Sequence, residues 1–225
     1  MHIPDGYLGP VTYGSLWLAM SLIWFYASRK IKQTLKASEV PLLALAASFS
    51  FVIMMFNVPI PAGTTGHATG AVLIAVLIGP WPAVMAVSVA LMIQALMFGD
   101  GGITAMGANC FNIAFAETLS GYAVYRVIAK GRDASLKRQL FGAGAGAYIG
   151  INIAAFLTAF ELGIQTALHT GPDGRPLYSP FPLSLTIPVI MTEHLVLFGL
   201  VEAAVTVLVL SYINKSHPEL IKEMR

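Results

Sequence analysis

An all-α integral membrane protein with about seven transmembrane helices is the fold class this sequence predicts, on three observations. The 225 residues are 56% hydrophobic and only 11% charged, with a mean hydropathy of +0.74, where soluble domains carry roughly 25% charged residues. Apolar runs recur along the whole chain, separated by short polar or Pro/Gly segments. The Lys and Arg residues fall on alternate loops, which fixes an orientation.

Val11 to Ser28 reads as the first span, carrying Trp17, Trp24 and Tyr26, and Arg29 to Glu39 as a charged loop. Pro41 to Asn57 is the second span, followed by a Pro/Gly loop from Val58 to Gly66 that ends at His67. The third apolar segment, Ala68 to Gly79, has about 12 residues, short of the roughly 20 that cross a bilayer. Pro80-Trp81-Pro82 separates it from the fourth, Ala83 to Phe98. Gly99-Asp100-Gly101-Gly102 is a turn. Met106 to Ala129, Gln139 to about Leu162, and Leu185 to Tyr212 complete the seven. The chain reads as one transmembrane domain over residues 1–225, with a metal-binding N-terminal segment at 1–10 and a polar tail at 213–225.

Twelve of the 13 Lys and Arg residues sit after the first span, between the fifth and sixth, and in the tail; only Arg175 lies on the other side. The positive-inside rule places the N-terminus outside and the C-terminus in the cytoplasm. Met1, His2 and the His67 loop then share the external face. No positively charged segment precedes the first apolar run, so no signal peptide is expected. No basic stripe points to nucleic acid. A single cysteine, Cys110, excludes an intrachain disulfide and a Cys-based zinc site.

The opening Met1-His2-Ile3-Pro4-Asp5-Gly6 sets an amine, an amide and an imidazole in direct succession. With the amide deprotonated, amine and amide nitrogens close a five-membered ring on a metal, and the amide with His2 Nδ1 closes a six-membered one. Such a planar nitrogen set suits Ni(II) or Cu(II). Pro4 fixes the exit of the chain. A fourth nitrogen must come from elsewhere, and His67, at the start of an apolar segment on the same side, is the natural one. The opposing reading is an arbitrary loop after a start codon and a solvated loop histidine.

Together these residues resemble the CbiM/NikM family, the substrate-binding (S) components of energy-coupling-factor transporters for cobalt and nickel. The motifs are Met-His-Ile-Pro-Asp-Gly at the start, Gly66-His67-Ala68, and Gly-Asp-Gly-Gly-Ile-Thr at 99–104. The likeness runs through the whole membrane domain and is closest to nickel-type members. It implies a metal held by the Met1 amine, the His2 amide, the His2 imidazole and the His67 imidazole. Nickel is the implied cargo and cobalt the second choice, the latter feeding cobalamin biosynthesis. The implied partners are a membrane T component, two cytoplasmic ATPase subunits and a small auxiliary membrane protein. The implied location is the plasma membrane of a prokaryote, as a multi-pass protein. A self-sufficient secondary transporter is the alternative function, with Glu117, Glu193 and Glu202 as its only coupling-ion candidates.

Polar residues inside apolar spans are costly and functional by default. They are Asn57, Gln94, Asn109, Asn112, Glu117, Asn152, Glu193, His194 and Glu202. Asn109 and Asn112 are the candidates for orienting the metal ligands; the three glutamates are read as helix-packing residues, and His169 and His217 as solvated. The ten Met residues invite a soft-metal reading, but scattered on apolar spans they are ordinary packing. Gly142, Gly146 and Gly150 form a small-residue ridge for close helix approach, and Ala44 with Ser48 a weaker one. No Gly-x-x-x-x-Gly-Lys-Ser/Thr, Gly-x-Ser-x-Gly or His-Glu-x-x-His motif occurs, so the chain is expected to be no enzyme and to leave ATP hydrolysis to partners.

Overall fold

The structure is a computed structural model that describes residues 1–34, 39–130 and 135–217. Lys36, Arg132, Lys222, Arg225 and the tail from residue 218 lie outside the described residues. Among the described residues, seven helical bodies follow one another. They are α1 (Pro10–Thr34), α2 (Val40–Met54), α3 (Ala71–Ile78), α4 (Pro80–Phe98), α5 (106–128), α6 (Leu136–Leu168) and α7 (Leu183–Ser216). Between α2 and α3 stand two short strands, β1 (Val58–Ile60) and β2 (Thr64–Gly66). Of the helices, α4, α6 and α7 are long and apolar enough to cross a membrane.

Local chemistry sets these boundaries. Pro41 and Pro80 open α2 and α4 at positions where a helix has no use for an amide proton. Ser135 caps α6 by accepting the Arg138 N–H. The α1 helix runs past Ser28 into the expected charged loop. Arg29 lies 4.3 Å over the Phe25 ring and Lys30 5.6 Å over Tyr26, so the cations stack on aromatic rings of their own helix. Helices α4, α5 and α7 each contain a π-helical stretch, at Gln94–Phe98, Cys110–Glu117 and His194–Phe198. Such widened turns are frequent at functional sites.

The segment from Val58 to Gly66 is a β-hairpin where the sequence predicts an irregular loop. Val58 pairs with Gly66, Pro59 with Thr65 and Ile60 with Thr64. β-branched residues outweigh the prolines here, because a two-stranded ribbon consists of edges, where a missing amide is tolerated. The turn between the strands holds Ala62 and Gly63 at positive φ.

At eight residues, α3 is about 12 Å long and cannot cross a bilayer. Ala71 to Val76 are all buried, so this short helix and the irregular backbone before it are enclosed by protein. That is the condition for such backbone at membrane depth. The glycine ridge on α6 is used inside the chain. A Cβ on Gly146 would stand 2.4 Å from the Gly121 carbonyl oxygen, and one on Gly121 2.7 Å from the Gly146 oxygen. Backbone therefore meets backbone where α5 and α6 pack, while Ala44 and Ser48 on α2 remain exposed.

A Gly146→Val substitution drives side-chain atoms into the backbone of α5. The expected loss is about 1–3 kcal/mol of stability, read as a lower thermal midpoint in detergent. A midpoint equal to wild type would show that α5 and α6 are not held this closely.

Candidate metal centre

The N-terminal segment is drawn into the protein and bonded on both flanks. From the hairpin, the Thr64 hydroxyl donates to the His2 carbonyl at 2.9 Å, and the Met1 amine donates to the Thr65 carbonyl. On the opposite flank, Asn109 of α5 grips Ile3 twice, accepting its N–H at 2.8 Å and donating to its C=O at 3.1 Å. Gly102 N–H donates to the same carbonyl at 2.9 Å. The Asp5 carboxylate accepts from Ile103 N at 3.0 Å, Thr104 N at 2.7 Å and the Thr104 hydroxyl at 2.5 Å. Gly102 is required at this seam, since a Cβ there would come 2.4 Å from the Asp5 nitrogen. Among the described residues no hydrogen bond engages the His2 N–H.

This threading brings Met1, His2 and His67 together, with exposures of 0%, 3% and 1%. The Met1 amine is 3.0 Å from His67 Nε2. The imidazoles of His2 and His67 stack with centroids 4.6 Å apart and planes 24° apart. Nδ1 of His67 lies 3.1 Å from the Ala68 carbonyl oxygen, which places the proton on Nδ1 and leaves the Nε2 lone pair facing the amine. Nδ1 of His2 lies 3.1 Å from Asp100 Oδ1. The contact is close but falls outside hydrogen-bond alignment, and neither His2 ring nitrogen has a hydrogen-bond partner among the described residues. Asp100 is held in turn by Asn57, whose Nδ2 donates to Oδ2 at 2.8 Å.

Burial sets the protonation of these groups. It lowers the Met1 amine from 8.0 to about 4, against the opposing pull of the Asp100 and Glu117 charges. It holds His67 well below 6.5, helped by the nearby amine and His2, and it lowers His2 as well. For Asp100, burial pushes the carboxyl up, but the contact with His2 prevails and leaves it below its ordinary value. At neutral pH the centre is three uncharged nitrogen bases beside one ionised carboxylate. Neutral amine and imidazole nitrogens are metal donors. Two nitrogens sharing a metal at right angles, with bonds of about 2 Å, stand about 2.9 Å apart, which matches the spacing of Met1 N and His67 Nε2.

The remaining sequence candidates separate clearly. Asn109 holds the backbone that follows His2. Asn112 instead donates to Thr158 Oγ1 at 3.3 Å and Glu161 Oε2 at 2.9 Å, within the α5–α6 interface. His194 Nδ1 pairs with the Ile190 carbonyl at 2.8 Å, and its ring packs on Phe198. His169 is half-buried against Tyr178, not a solvated loop residue. Sequence reasoning missed Asp100, read as a turn residue, and Asp5, to which it gave no role at the metal site. The one available signal is an acidic residue inside each of two motifs, Met-His-Ile-Pro-Asp-Gly and Gly-Asp-Gly-Gly-Ile-Thr.

A family profile described as the cobalt uptake substrate-specific transmembrane region, CbiM, matches residues 2–220. The chain belongs to the CbiM family. It is 47% identical over 225 residues to a fused nickel transport protein, NikMN, of Rhodobacter capsulatus, covering all of this chain and 65% of that one. A probable fused nickel transport protein, LarMN, of Lactiplantibacillus plantarum is 48% identical over 220 residues, covering 97% and 66%. The chain thus spans about two thirds of the length of these two relatives. A putative metal transport protein of Methanocaldococcus jannaschii is 42% identical over 221 residues, covering 98% and 94%. Among solved structures, a truncated transition metal transporter superposes with a TM-score of 0.91 at 46% identity, covering 96% of this chain and all of that one.

The buried amine makes stability depend on pH. Its folded value of about 4 lies below the 8.0 of the exposed group, so between these values the unfolded chain binds more protons than the folded one. Stability therefore rises with pH across this window and is lost as pH falls from about 8 towards 4. The lowered imidazoles act with the same sign. The metal-free CbiM-family protein should show a lower thermal midpoint at pH 5.5 than at pH 8, and acetylation of the amine should flatten the difference. A midpoint independent of pH would contradict burial of the neutral amine.

Proposed function

We propose that this chain is the substrate-specific membrane subunit, the S component, of an energy-coupling-factor transporter that takes up Ni(II), with Co(II) the second cargo. The observation that carries the reading is the Met1 amine set 3.0 Å from His67 Nε2 beneath the stacked His2 ring. The ligands are the Met1 amine, the deprotonated His2 amide, His2 Nδ1 and His67 Nε2. The unengaged His2 N–H is available for deprotonation, while the Ile3 amide is committed to Asn109 and the His2 carbonyl to the Thr64 hydroxyl. A metal on His2 Nδ1 displaces the Asp100 contact, because that nitrogen has one lone pair. Four nitrogens in a plane favour Ni(II) over Zn(II), which takes tetrahedral sites. Nickel over cobalt is supported by the nickel-named relatives at 47% and 48% identity, against 28% to 37% for three cobalt transport proteins.

In this reading the seven helical bodies lie in a prokaryotic plasma membrane, with the N-terminus outside and the C-terminus in the cytoplasm. The loop charges support that orientation. Metal is captured externally by residues 1–5 and the His67 turn. A T component and two cytoplasmic ATPases supply the ATP-driven movement, with a small auxiliary membrane protein completing the complex. The chain itself performs no chemistry on a substrate.

Nickel titration of the purified protein, followed by visible absorption, tests the ligation. A low-spin planar band at one nickel per chain is expected, and a tetrahedral Co(II) spectrum on cobalt loading would overturn the planar site. His67→Ala removes one equatorial nitrogen and keeps the three-nitrogen chelate, so affinity should fall while the fold persists. Unchanged affinity would remove His67 from the ligand set.

An extension of one or two residues before Met1 turns the amine into a neutral amide and forces extra chain into a fully buried position. High-affinity nickel binding should be abolished at equal membrane levels, and a tag after Arg225 should be tolerated. Full nickel occupancy of the extended protein would show that the amine is no ligand.

A further inference from the structure

His67 is held from below by a carboxylate that it does not touch. We propose that Glu202 of α7 is a positioning residue for the metal centre, acting on His67 through the single peptide unit between Ala68 and Thr69. The two ends of that unit are both engaged. The Thr69 N–H donates to Glu202 Oε2 at 2.7 Å, and the Ala68 carbonyl faces His67 Nδ1 at 3.1 Å. Because the peptide is planar and stiff, fixing its N–H fixes the direction of its C=O, and with it the imidazole. Aligned hydrogen bonds also polarise one another. A carboxylate on the N–H makes the carbonyl a better acceptor for the Nδ1 proton and keeps the Nε2 lone pair aimed at the Met1 amine. This is the outer-ligand arrangement by which carboxylates orient metal-bound histidines, with a peptide inserted between the two groups.

The surroundings leave this peptide little freedom. The other Glu202 oxygen accepts from Gly70 N–H at 2.9 Å, so both carboxylate oxygens grip adjacent amides. The Thr69 carbonyl accepts from the Ser50 hydroxyl of α2 at 2.8 Å. The Thr69 hydroxyl bonds Glu117 of α5 and accepts from Ala71 N–H at 3.1 Å. Three helices thereby converge on the residue two places beyond His67. Gly70 completes the turn at φ +70°, where a Cβ would also run into the Phe49 ring at 2.5 Å. Glu202 and Glu117 are buried at 0% exposure, and Glu202 is satisfied here by backbone donors, unlike a residue that merely packs two helices together.

The inference rests on the ligand set proposed above, and its test has one arm that needs no nickel. In histidine-labelled, metal-free wild-type protein, nitrogen NMR should find His67 in a single Nδ1–H tautomer. An Nε2–H tautomer, or a mixture of both, would overturn the proposal whatever the metal does. In Glu202→Gln, one carbonyl oxygen replaces two acceptors, the grip on the two amides is halved, and the His67 tautomers should become mixed. If that variant does not fold, Glu202→Asp, which retains the charge on a shorter arm, takes its place. Nickel affinity of the variant should fall about tenfold. The double variant with His67→Ala should bind nickel no more weakly than His67→Ala alone, since Glu202 acts only through that ring. Losses that multiply in the double variant would assign Glu202 a general scaffolding role and overturn the proposal. Absence of nickel binding by wild type would instead overturn the ligand set, with the tautomer result still standing on its own.

Discussion

The structure depends on burying an α-amine. An amine in water is charged at neutral pH, and taking that charge into protein is expensive. The group escapes the cost by becoming neutral, and a neutral amine needs partners. The Thr65 carbonyl and the His67 ring supply them. Much of the local architecture follows from that need. The hairpin exists at the position where its second strand can offer Thr64 and Thr65 to the first two residues, and the loop after α4 closes over Ile3 and Asp5 from the other flank.

On the proposed membrane placement, a second constraint comes from the bilayer. Backbone that is neither helix nor barrel must be satisfied inside the protein at membrane depth. Between Gly66 and Ala71 the chain is neither, and the polar groups of Thr69 and Gly70 are answered one by one. Ser50 takes the Thr69 carbonyl, Glu202 the Thr69 and Gly70 amides, and Glu117 the Thr69 hydroxyl. Removing these groups would leave a lone loop histidine. With them, an irregular turn presents one imidazole nitrogen in one direction. The buried acidic residues thereby serve the backbone, which explains why three separate helices carry polar side chains to one point.

The helical bodies were legible because their signal is strong and local: apolar runs bounded by Pro, Gly and charged residues. The ligand candidates were legible because Met1-His2 and Gly66-His67-Ala68 are short contiguous motifs. What the sequence concealed depends on contacts between distant positions. Asp100 faces His2 across 98 residues of chain, and Glu202 meets Thr69 across 133. Neither spacing has a periodicity that a linear reading detects. Val58 to Gly66 was misread for a different reason. Its prolines and glycines look like loop punctuation, and only the pairing of Val58, Pro59 and Ile60 with Thr64 to Gly66 reveals a ribbon. Asn109 and Asn112 look equivalent in sequence, three residues apart. The π-helical turn begins between them, and one reaches Ile3 while the other faces α6.

Charge balance then bears on why such a site suits a dication. On the proposed ligation, amine and imidazoles contribute no charge, so a bare divalent ion would bring +2 into a buried space. Loss of the His2 amide proton cancels one unit. The second is met by Asp100, which is ionised and only 19% exposed beside His2. Once His2 Nδ1 turns to the metal, Asp100 keeps its Asn57 partner and stays close enough to act through space, where low dielectric strengthens the attraction. A monovalent ion would leave this arrangement net negative, and a trivalent one net positive. On the proposed ligation, charge selection falls to the carboxylate at the rim and geometry to the nitrogens beneath it, two separate filters on one incoming ion.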